Sequence, residues 1–350
     1  MKYRVGIAGL GIGARHWRDW KLLGDEFEVA MVCDPDDARR IHRCEREGVA
    51  GTPDFSEMLD AGLDIIDIAT PPHLHFDMAS RALESGHHVV CEKPLVNSLA
   101  EADELIRLAS ETGKRFMPIS QYRFGEGIQR LKYLVDLGLV GKPYVASVET
   151  HWLRGADYYE APWRGRWETE RGGVLLCHAL HIHDLLCFVM GPVEKVYAQV
   201  ATRVNPVETE DCAVASLTMT SGALVSSSST LGSREQISRL RFSFEHLLAE
   251  SNHEPYDPGR DPWNMITSGT GIDADIADAL RAFTPLPPGF RGQFLNLFDH
   301  LESGSPLLVT LEDARRSLEL VTAMYASARR GEVERLPIEP THSLYTDWRP

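Results

Sequence analysis

VGIAGLGIGA, residues 5–14, is the stretch on which the fold turns. Residues 5–10 are a short apolar run with strand character, and they lead straight into Gly9-Leu-Gly11-Ile-Gly13-Ala14, with a helix expected over 16–23. The order fits G-x-G-x-x-A, with Ala14 in the third small position and Gly13 as an additional glycine. Gly9 permits a tight turn, and Gly11 lets the backbone approach a pyrophosphate. The anion then sits on a helix N-terminus, where N–H groups lack partners. A second strand over 28–33 ends in Asp34, 20 residues beyond Ala14. A carboxylate there can accept both ribose hydroxyls of NAD and repels the 2′-phosphate of NADP. Arg39 and Arg40 follow closely and leave NADP open. A glycine-rich turn followed by a solvated aspartate is the plainer alternative.

Outward from this stretch the alternation continues. A buried strand over 63–69 is stopped by Thr70-Pro71-Pro72, a helix covers 77–84, and another strand covers 87–91. Ser98-x-x-Glu101 is a capping-box signature for a helix that runs to 112 and stops at Gly113. Residues 116–120 are the next strand. Strands alternating with helices predict an α/β Rossmann domain with a doubly wound parallel sheet, expected over residues 1–123. Ligands of such sheets bind at the carboxyl ends of strands. Thr70, Pro71, Glu92, Lys93, Gln121 and Arg123 all fall at such ends. Lys93 leaves a buried strand, and Pro94 restricts it to extended geometry. Chemistry alone leaves two readings of Lys93: a lysine near a nicotinamide, or a surface lysine paired with Glu92.

The pattern changes near residue 123. Strands are expected over 143–151, 193–202, 212–220, 223–230 and 237–244, with Ser221-Gly222 as a hairpin turn. Few helices intervene, apart from 290–301 and 311–328, the latter capped by Thr310 with Asp313 at its third position. Residues 124–350 therefore read as a C-terminal α+β domain with a largely antiparallel, open-faced sheet.

At 350 residues and 43% hydrophobic, the chain can bury two cores. A net charge of −15 disfavours a nucleic-acid partner. No apolar run approaches 18 residues, so no membrane span is expected. The N-terminus lacks a small-residue cleavage site and reads as a first strand. Six scattered cysteines without a CxxC pair read as free thiols in a reducing, cytoplasmic setting.

A second stretch, LLCHALHIHDLL at 175–186, places Cys177, His181 and Asp184 on one helical face, with His178 beside them. Three readings compete. One is a core helix with incidental histidines. One is a metal site, but no second ligand cluster is evident, so no metal is expected. The third is a proton-transfer site, since a histidine near its free pKa is suited to accept a hydroxyl proton. Upstream, residues 151–171 are rich in aromatics and arginine. Trp152, Tyr158, Tyr159, Trp163 and Trp167 can stack on sugar faces, and His151, Arg154 and Arg164 can bind hydroxyls or a carboxylate. The same composition also suits a subunit contact.

Residues 9–14, Thr70-Pro-Pro-His-Leu-His75 and Glu92-Lys93-Pro94 together resemble the Gfo/Idh/MocA family (glucose–fructose oxidoreductase and inositol dehydrogenase). The resemblance extends to Gln121-Tyr-Arg123, Gly138-x-x-Gly141-Lys-Pro143, Gly172-Gly173 and the 309–313 tail segment. It implies that His75, Gln121 and Arg123 join the cofactor-binding set. It implies Lys93 and His181 as catalytic residues of an NAD-dependent sugar or polyol dehydrogenase, and a homodimer or homotetramer. The family motif is similar to G-G-x-x-x-D-x-G-x-H-x-x-D. Here Gly172, Gly173, His181 and Asp184 match, while Cys177 replaces the first aspartate and Ala179 the glycine. That departure keeps in view an NAD- and sugar-binding regulatory protein without turnover, and the resemblance, through relatives that use bound NAD transiently, also implies redox-assisted glycoside cleavage as an alternative.

Overall fold

The computed structural model describes residues 2–269 and 271–350. The chain divides into two compact units, Met1–Ile119 with Phe290–Arg315, and Ser120–Gly289 with Arg316–Pro350.

The first unit is built on six strands: β1 (Tyr3–Ala8), β2 (Phe27–Cys33), β3 (Ala50–Thr52), β4 (Ile65–Ile68), β5 (His88–Cys91) and β6 (Phe116–Pro118). All pair in parallel, in the order β3-β2-β1-β4-β5-β6. This is the doubly wound sheet expected from the alternation. Both of its faces are covered, so its central strands are apolar without alternation. The Leu99–Thr112 helix starts as its sequence predicts: Ser98 Oγ accepts from the Glu101 amide at 3.2 Å. The returning Glu101 carboxylate, however, takes the Asn97 amide at 2.8 Å, one residue before the cap.

A single boundary near residue 123 does not describe this chain, because the segment from Phe290 returns to the first unit. Its helix, Phe290–Ser303, buries Phe290, Phe294 and Leu297 in the same core as Val5, Ile7, Trp17 and Trp20. Phe294 stacks on Trp20 with ring centroids 3.7 Å apart and planes 2° from parallel. Burying aromatics of this size contributes roughly 2–3 kcal/mol each.

The second unit carries an eight-stranded sheet: β7 (Pro143–Leu153), β8 (Val193–Ala201), β9 (Cys212–Met219), β10 (Leu224–Thr230), β11 (Gly232–Phe244), β12 (Leu247–Glu250), β13 (Asn264–Thr267) and β14 (Glu334–Arg335). The order is β13-β12-β11-β7-β10-β9-β8-β14, and β7 with β10 is the parallel pair among otherwise antiparallel ones. One face buries Ala146, Val148, Trp152, Val225, Leu217 and Leu240. The other face exposes Val145, Tyr197, Val214 and Leu224. Gly222, at φ +86°, turns the chain between β9 and β10. No helix of the described residues is long and apolar enough to cross a membrane.

Candidate active site

In the first unit the glycine loop has the shape a dinucleotide requires. Gly9 sits at φ +91°, and a Cβ there would stand 2.5 Å from the Ala69 carbonyl oxygen. A Cβ on Gly11 would meet nothing within 4 Å, so the loop faces open space at that residue. A Cβ on Gly13 would come within 3.0 Å of Ile7 and 3.2 Å of Ala69. Close packing of this helix against the strands therefore falls at Gly13, while Ala14, the third small position of the motif, is half-buried. At the start of the Gly13–Leu22 helix the Ala14 and Arg15 amides turn back to the Gly11 and Ile12 carbonyls at 3.4 and 2.8 Å, so the amides that can face an anion are those of the glycine loop before them. Asp34, at the end of β2, takes the Leu10 amide at 2.7 Å with one carboxylate oxygen and the Asp36 amide at 2.9 Å with the other. Each oxygen keeps a further lone pair for a ribose hydroxyl. Arg39 approaches the same carboxylate at 4.0 Å. The residues present fit NAD.

The loops after β4 and β5 are tied together by His75. Its Nδ1 lies 2.8 Å from the Pro94 carbonyl and its Nε2 2.9 Å from the Thr70 carbonyl. His75, expected to bind the cofactor, instead braces the two loops that carry Thr70-Pro71 and Glu92-Lys93. It is buried, and burial holds its pKa below the ordinary value.

A buried polar network, which sequence reasoning missed, lies at the base of Lys93. His16 Nδ1 stands 3.0 Å from both Asp67 carboxylate oxygens, and its Nε2 stands 3.2 Å from Glu92. Trp20 donates to Asp67 at 2.8 Å. Glu92 then accepts the Lys93 amide at 2.9 Å. Burial alone would lower the pKa of His16, but Asp67 and then Glu92 outweigh it and raise it to about 10. Burial likewise works to raise the pKa of Glu92, yet His16 and Lys93 hold it at about 2. A fixed imidazolium between two carboxylates is thus the resident state at neutral pH. One signal for it was present: Asp67 interrupts an otherwise apolar buried strand, and a buried charge needs a partner.

In the second unit the 175–186 stretch is helical but not uniformly α. Leu175–Ala179 forms a π-turn, and the α-helix runs over Leu180–Met190. The wider π-turn breaks the expected register of Cys177 with His181 and Asp184; such turns often mark functional sites. The entry needs both glycines. A Cβ on Gly173 would stand 1.8 Å from the Glu210 carbonyl oxygen, and one on Gly172 would stand 2.5 Å from the Tyr325 hydroxyl. The Glu210 carboxyl accepts from the amides of Gly173 at 3.0 Å and Leu175 at 3.1 Å and from the Tyr325 hydroxyl at 2.9 Å. Burial raises its pKa to about 7 against these hydrogen bonds. Nothing in the sequence around Glu210 marks this role.

His181 is 7% exposed and stacks on Tyr122 with centroids 4.4 Å apart. Asp184, a possible support for His181 by its place in the motif, is gripped by Arg123: Nε to Oδ2 at 2.8 Å and Nη2 to Oδ1 at 2.6 Å. Arg123, expected at the cofactor, is 2% exposed and turned onto this carboxylate, since a buried guanidinium needs a counter-charge. Gln121 Oε1 is buried and has no hydrogen-bond partner among the described residues. His183 bonds Ser227 at 3.0 Å, and burial lowers its pKa to about 4, so it stays neutral.

The aromatic segment divides by strand parity. Trp152 is buried on the helix-facing side, donating to Ser238 at 3.0 Å, with its ring edge-on to His178 at 5.3 Å. His151 points to the opposite face, where it bonds Ser228 at 2.9 Å, so the structure separates it from His178 and His181. Trp163 and Tyr158 flank the Arg164 guanidinium at 4.2 and 3.9 Å, and Arg164 pairs with buried Glu170 at 3.1 Å. The Cys177 thiol lies against the Gly172 carbonyl at 3.5 Å and the Glu170 carboxylate. A carboxylate does therefore adjoin position 177, although it comes from elsewhere in the chain.

Residues 3–120 match the oxidoreductase family described as an NAD-binding Rossmann fold, and residues 128–246 match the GFO/IDH/MocA C-terminal domain. The WlbA dehydrogenase from Bordetella pertussis, solved in complex with NADH and UDP-GlcNAcA, is 29% identical. It covers 97% of this chain and 100% of its own, with a TM-score of 0.85. D-apiose dehydrogenase from Paraburkholderia graminis is 25% identical over 354 residues, 96% of this chain and 90% of that protein. A glycosyl hydrolase family 109 protein from Streptomyces filamentosus is 31% identical over 188 residues, and the match spans only 38% of that relative's length. The chain belongs to the GFO/IDH/MocA oxidoreductase family, and its first unit is an NAD-binding Rossmann domain.

Proposed function

We propose that the protein interconverts a secondary alcohol and a ketone on a sugar, polyol or sugar derivative, with NAD as the hydride carrier. The observation that carries this reading is the placement of Lys93: it leaves the carboxyl end of β5, in the same unit and at the same strand ends as the Gly9–Gly13 loop. NAD, bound with its pyrophosphate on that loop and its ribose on Asp34, supplies the hydride acceptor. An imidazole nitrogen of His181 takes the proton from the substrate hydroxyl. The Lys93 ammonium donates a hydrogen bond from Nζ to the same oxygen as negative charge develops there, an interaction that strengthens in the transition state. Glu92, locked by His16, holds the Lys93 backbone. Asp34 favours NAD, and Arg39 beside it admits NADP as a weaker alternative.

The substrate class is supported by the relatives, which include a D-apiose dehydrogenase and a dehydrogenase solved with a nucleotide sugar. The partial match to a glycosyl hydrolase family 109 protein favours a second reading, redox-assisted glycoside cleavage. Incubation with NAD⁺ and a panel of sugars and aryl glycosides, followed at the NADH absorbance, separates them. Steady NADH formation supports the dehydrogenase. Released aglycone without net NADH supports cleavage. Tight binding with neither leaves a regulatory protein.

We also propose that the exposed sheet face pairs with a second copy of the chain, giving a homodimer or homotetramer. Leu224 and Val145, paired across β10 and β7, are 56% and 50% exposed there, and Val214 on the same face is 52% exposed, a grouping unusual for aliphatic side chains on a monomer. All six cysteines are free thiols, which suits a reducing compartment such as the cytoplasm.

A further inference from the structure

We propose that Arg154 anchors an anionic oxyacid group of the substrate, a carboxylate or a phosphate, so that the preferred substrate is a sugar acid or sugar phosphate rather than a neutral sugar. This rests on the dehydrogenase reading and narrows its substrate class.

Arg154 follows directly on β7. Its guanidinium carbon lies 4.9 Å from the Trp152 ring centroid, 5.0 Å from that of Tyr158 and 5.7 Å from that of Tyr256. Three aromatic faces hold the cation in place but leave its charge uncompensated. Among the described residues no carboxylate lies within ion-pair distance of it, although the chain has a large excess of acidic residues. Arg164, in the same segment, is the contrast: it is neutralised by Glu170 at 3.1 Å. Arg164 is therefore structural, and Arg154 keeps its charge.

The hydrogen bonds of Arg154 are asymmetric as well. Nη1 is occupied by the Leu153 carbonyl at 2.8 Å, Gln236 at 3.3 Å and the Tyr256 hydroxyl at 3.1 Å. Nε is buried and has no acceptor among the described residues. A buried guanidinium N–H without an acceptor is costly. The Nε–Nη2 edge is also one that grips an oxyanion through two parallel hydrogen bonds. The group is thus pinned by Nη1, its Nε is enclosed without an acceptor, and Nη2 beside it is the nitrogen left to meet an oxyanion.

Its location ties the fork to the candidate base. Tyr158, under the Arg154 guanidinium, has its ring centroid 5.5 Å from that of His178, and Trp152 stands 5.3 Å from the same ring. His178 precedes His181 by one turn of the same helical segment. All these groups lie in one unit. Electrostatics gives the cation a purpose: a protein of net charge −15 repels anionic substrates at long range, so accepting one requires a local positive group.

The test uses the whole protein with NAD⁺ and matched sets of one hexose, its uronic acid and its 6-phosphate, in the gluco, galacto and manno series at fixed ionic strength. Initial rates give kcat/KM for each, and calorimetric titration of the NADH-loaded protein gives binding. Wild type should prefer an acid or a phosphate over the matched neutral sugar. The uronate and phosphate arms identify which oxyanion is read. In Arg154→Gln that preference ratio should fall about 10–100-fold, the worth of a charge-assisted hydrogen-bond pair. Arg154→Lys, which keeps the charge but not the fork, should recover only part of it. No preference in wild type, or an equal loss for neutral and anionic members in Arg154→Gln, overturns the anion site and leaves the dehydrogenase reading standing. If no member binds or forms NADH, both fall.

Discussion

Glu210→Gln makes the sharpest demand on the structure. The Glu210 carboxyl is buried beneath the π-turn that leads to His181, accepting from two backbone amides and the Tyr325 hydroxyl. Burial lifts its pKa from 4.5 to about 7, more than these hydrogen bonds oppose. In the unfolded chain the group ionises near its ordinary value. Between those two pH values the native state holds a proton that the unfolded state has released, so stability falls as pH rises through this window. Below it both states are protonated, and above about 7 both are ionised. The span corresponds to roughly 3 kcal/mol. Glutamine cannot lose a proton and nearly matches the shape. The wild-type minus Glu210→Gln difference in unfolding free energy should therefore decline by about 3 kcal/mol from pH 4.5 to pH 8. Urea titrations followed by far-UV circular dichroism at six pH values measure it. Taking the difference removes the contribution of Glu170, whose pKa burial also raises in the same unit. A difference that stays flat within about 1 kcal/mol, or rises with pH, refutes the reasoning.

Other expectations are more direct. His181→Ala should lower turnover about 10²–10⁴-fold, measured as NADH formation with the best sugar of the panel; near-full activity removes His181 from proton transfer. Lys93→Met should cripple turnover while NAD⁺ still binds by calorimetry, and an unimpaired rate would exclude Lys93 from the chemistry. His16→Asn leaves Asp67 and Glu92 buried without their cation and should cost about 3–5 kcal/mol in urea unfolding. The pKa of His16 is raised, so its stabilising effect is complete below pH 6.5 and fades toward about 10; a His16→Asn penalty that does not shrink in alkali contradicts this. Val214→Arg puts a charge in the exposed sheet face and should shift sedimentation from an oligomer toward a monomer. An unchanged coefficient would mean that copies associate elsewhere or not at all.

Much of the fold was legible in the residue order. Gly9, Gly11 and Gly13, the strand–helix alternation and the Ser98 and Thr310 caps act over a few residues, so their meaning can be read locally. The Thr310–Asp313 cap forms as predicted, with the Thr310 amide 3.1 Å from the Asp313 carboxylate and the Asp313 amide 3.3 Å from the Thr310 hydroxyl. Parity is readable in the sequence too, and it bears on His151. Strand alternation puts that residue on the open face and Trp152 on the buried one. The uniform α-helix expected over 175–186 failed for a non-local reason. Glu210 and Tyr325, far along the chain, bond and pack against the segment that enters it, and Leu175–Ala179 takes up a π-turn.

The sequence by itself determined the architecture and which residue types stand at strand ends and on the 175–190 helix. Backbone preference, apolar periodicity and capping are short-range effects that neighbours impose on one another. Only the tertiary structure decided the pairings: His16 with Asp67 and Glu92, Asp184 with Arg123, and Glu210 under the helix start. It also decided that Glu170 neutralises Arg164 while Arg154 keeps its charge. Each of these turns on which distant group fills a buried shell within hydrogen-bonding distance. At that range the energy of a charge depends on its partner and its burial, neither of which is written in its own neighbourhood of the chain.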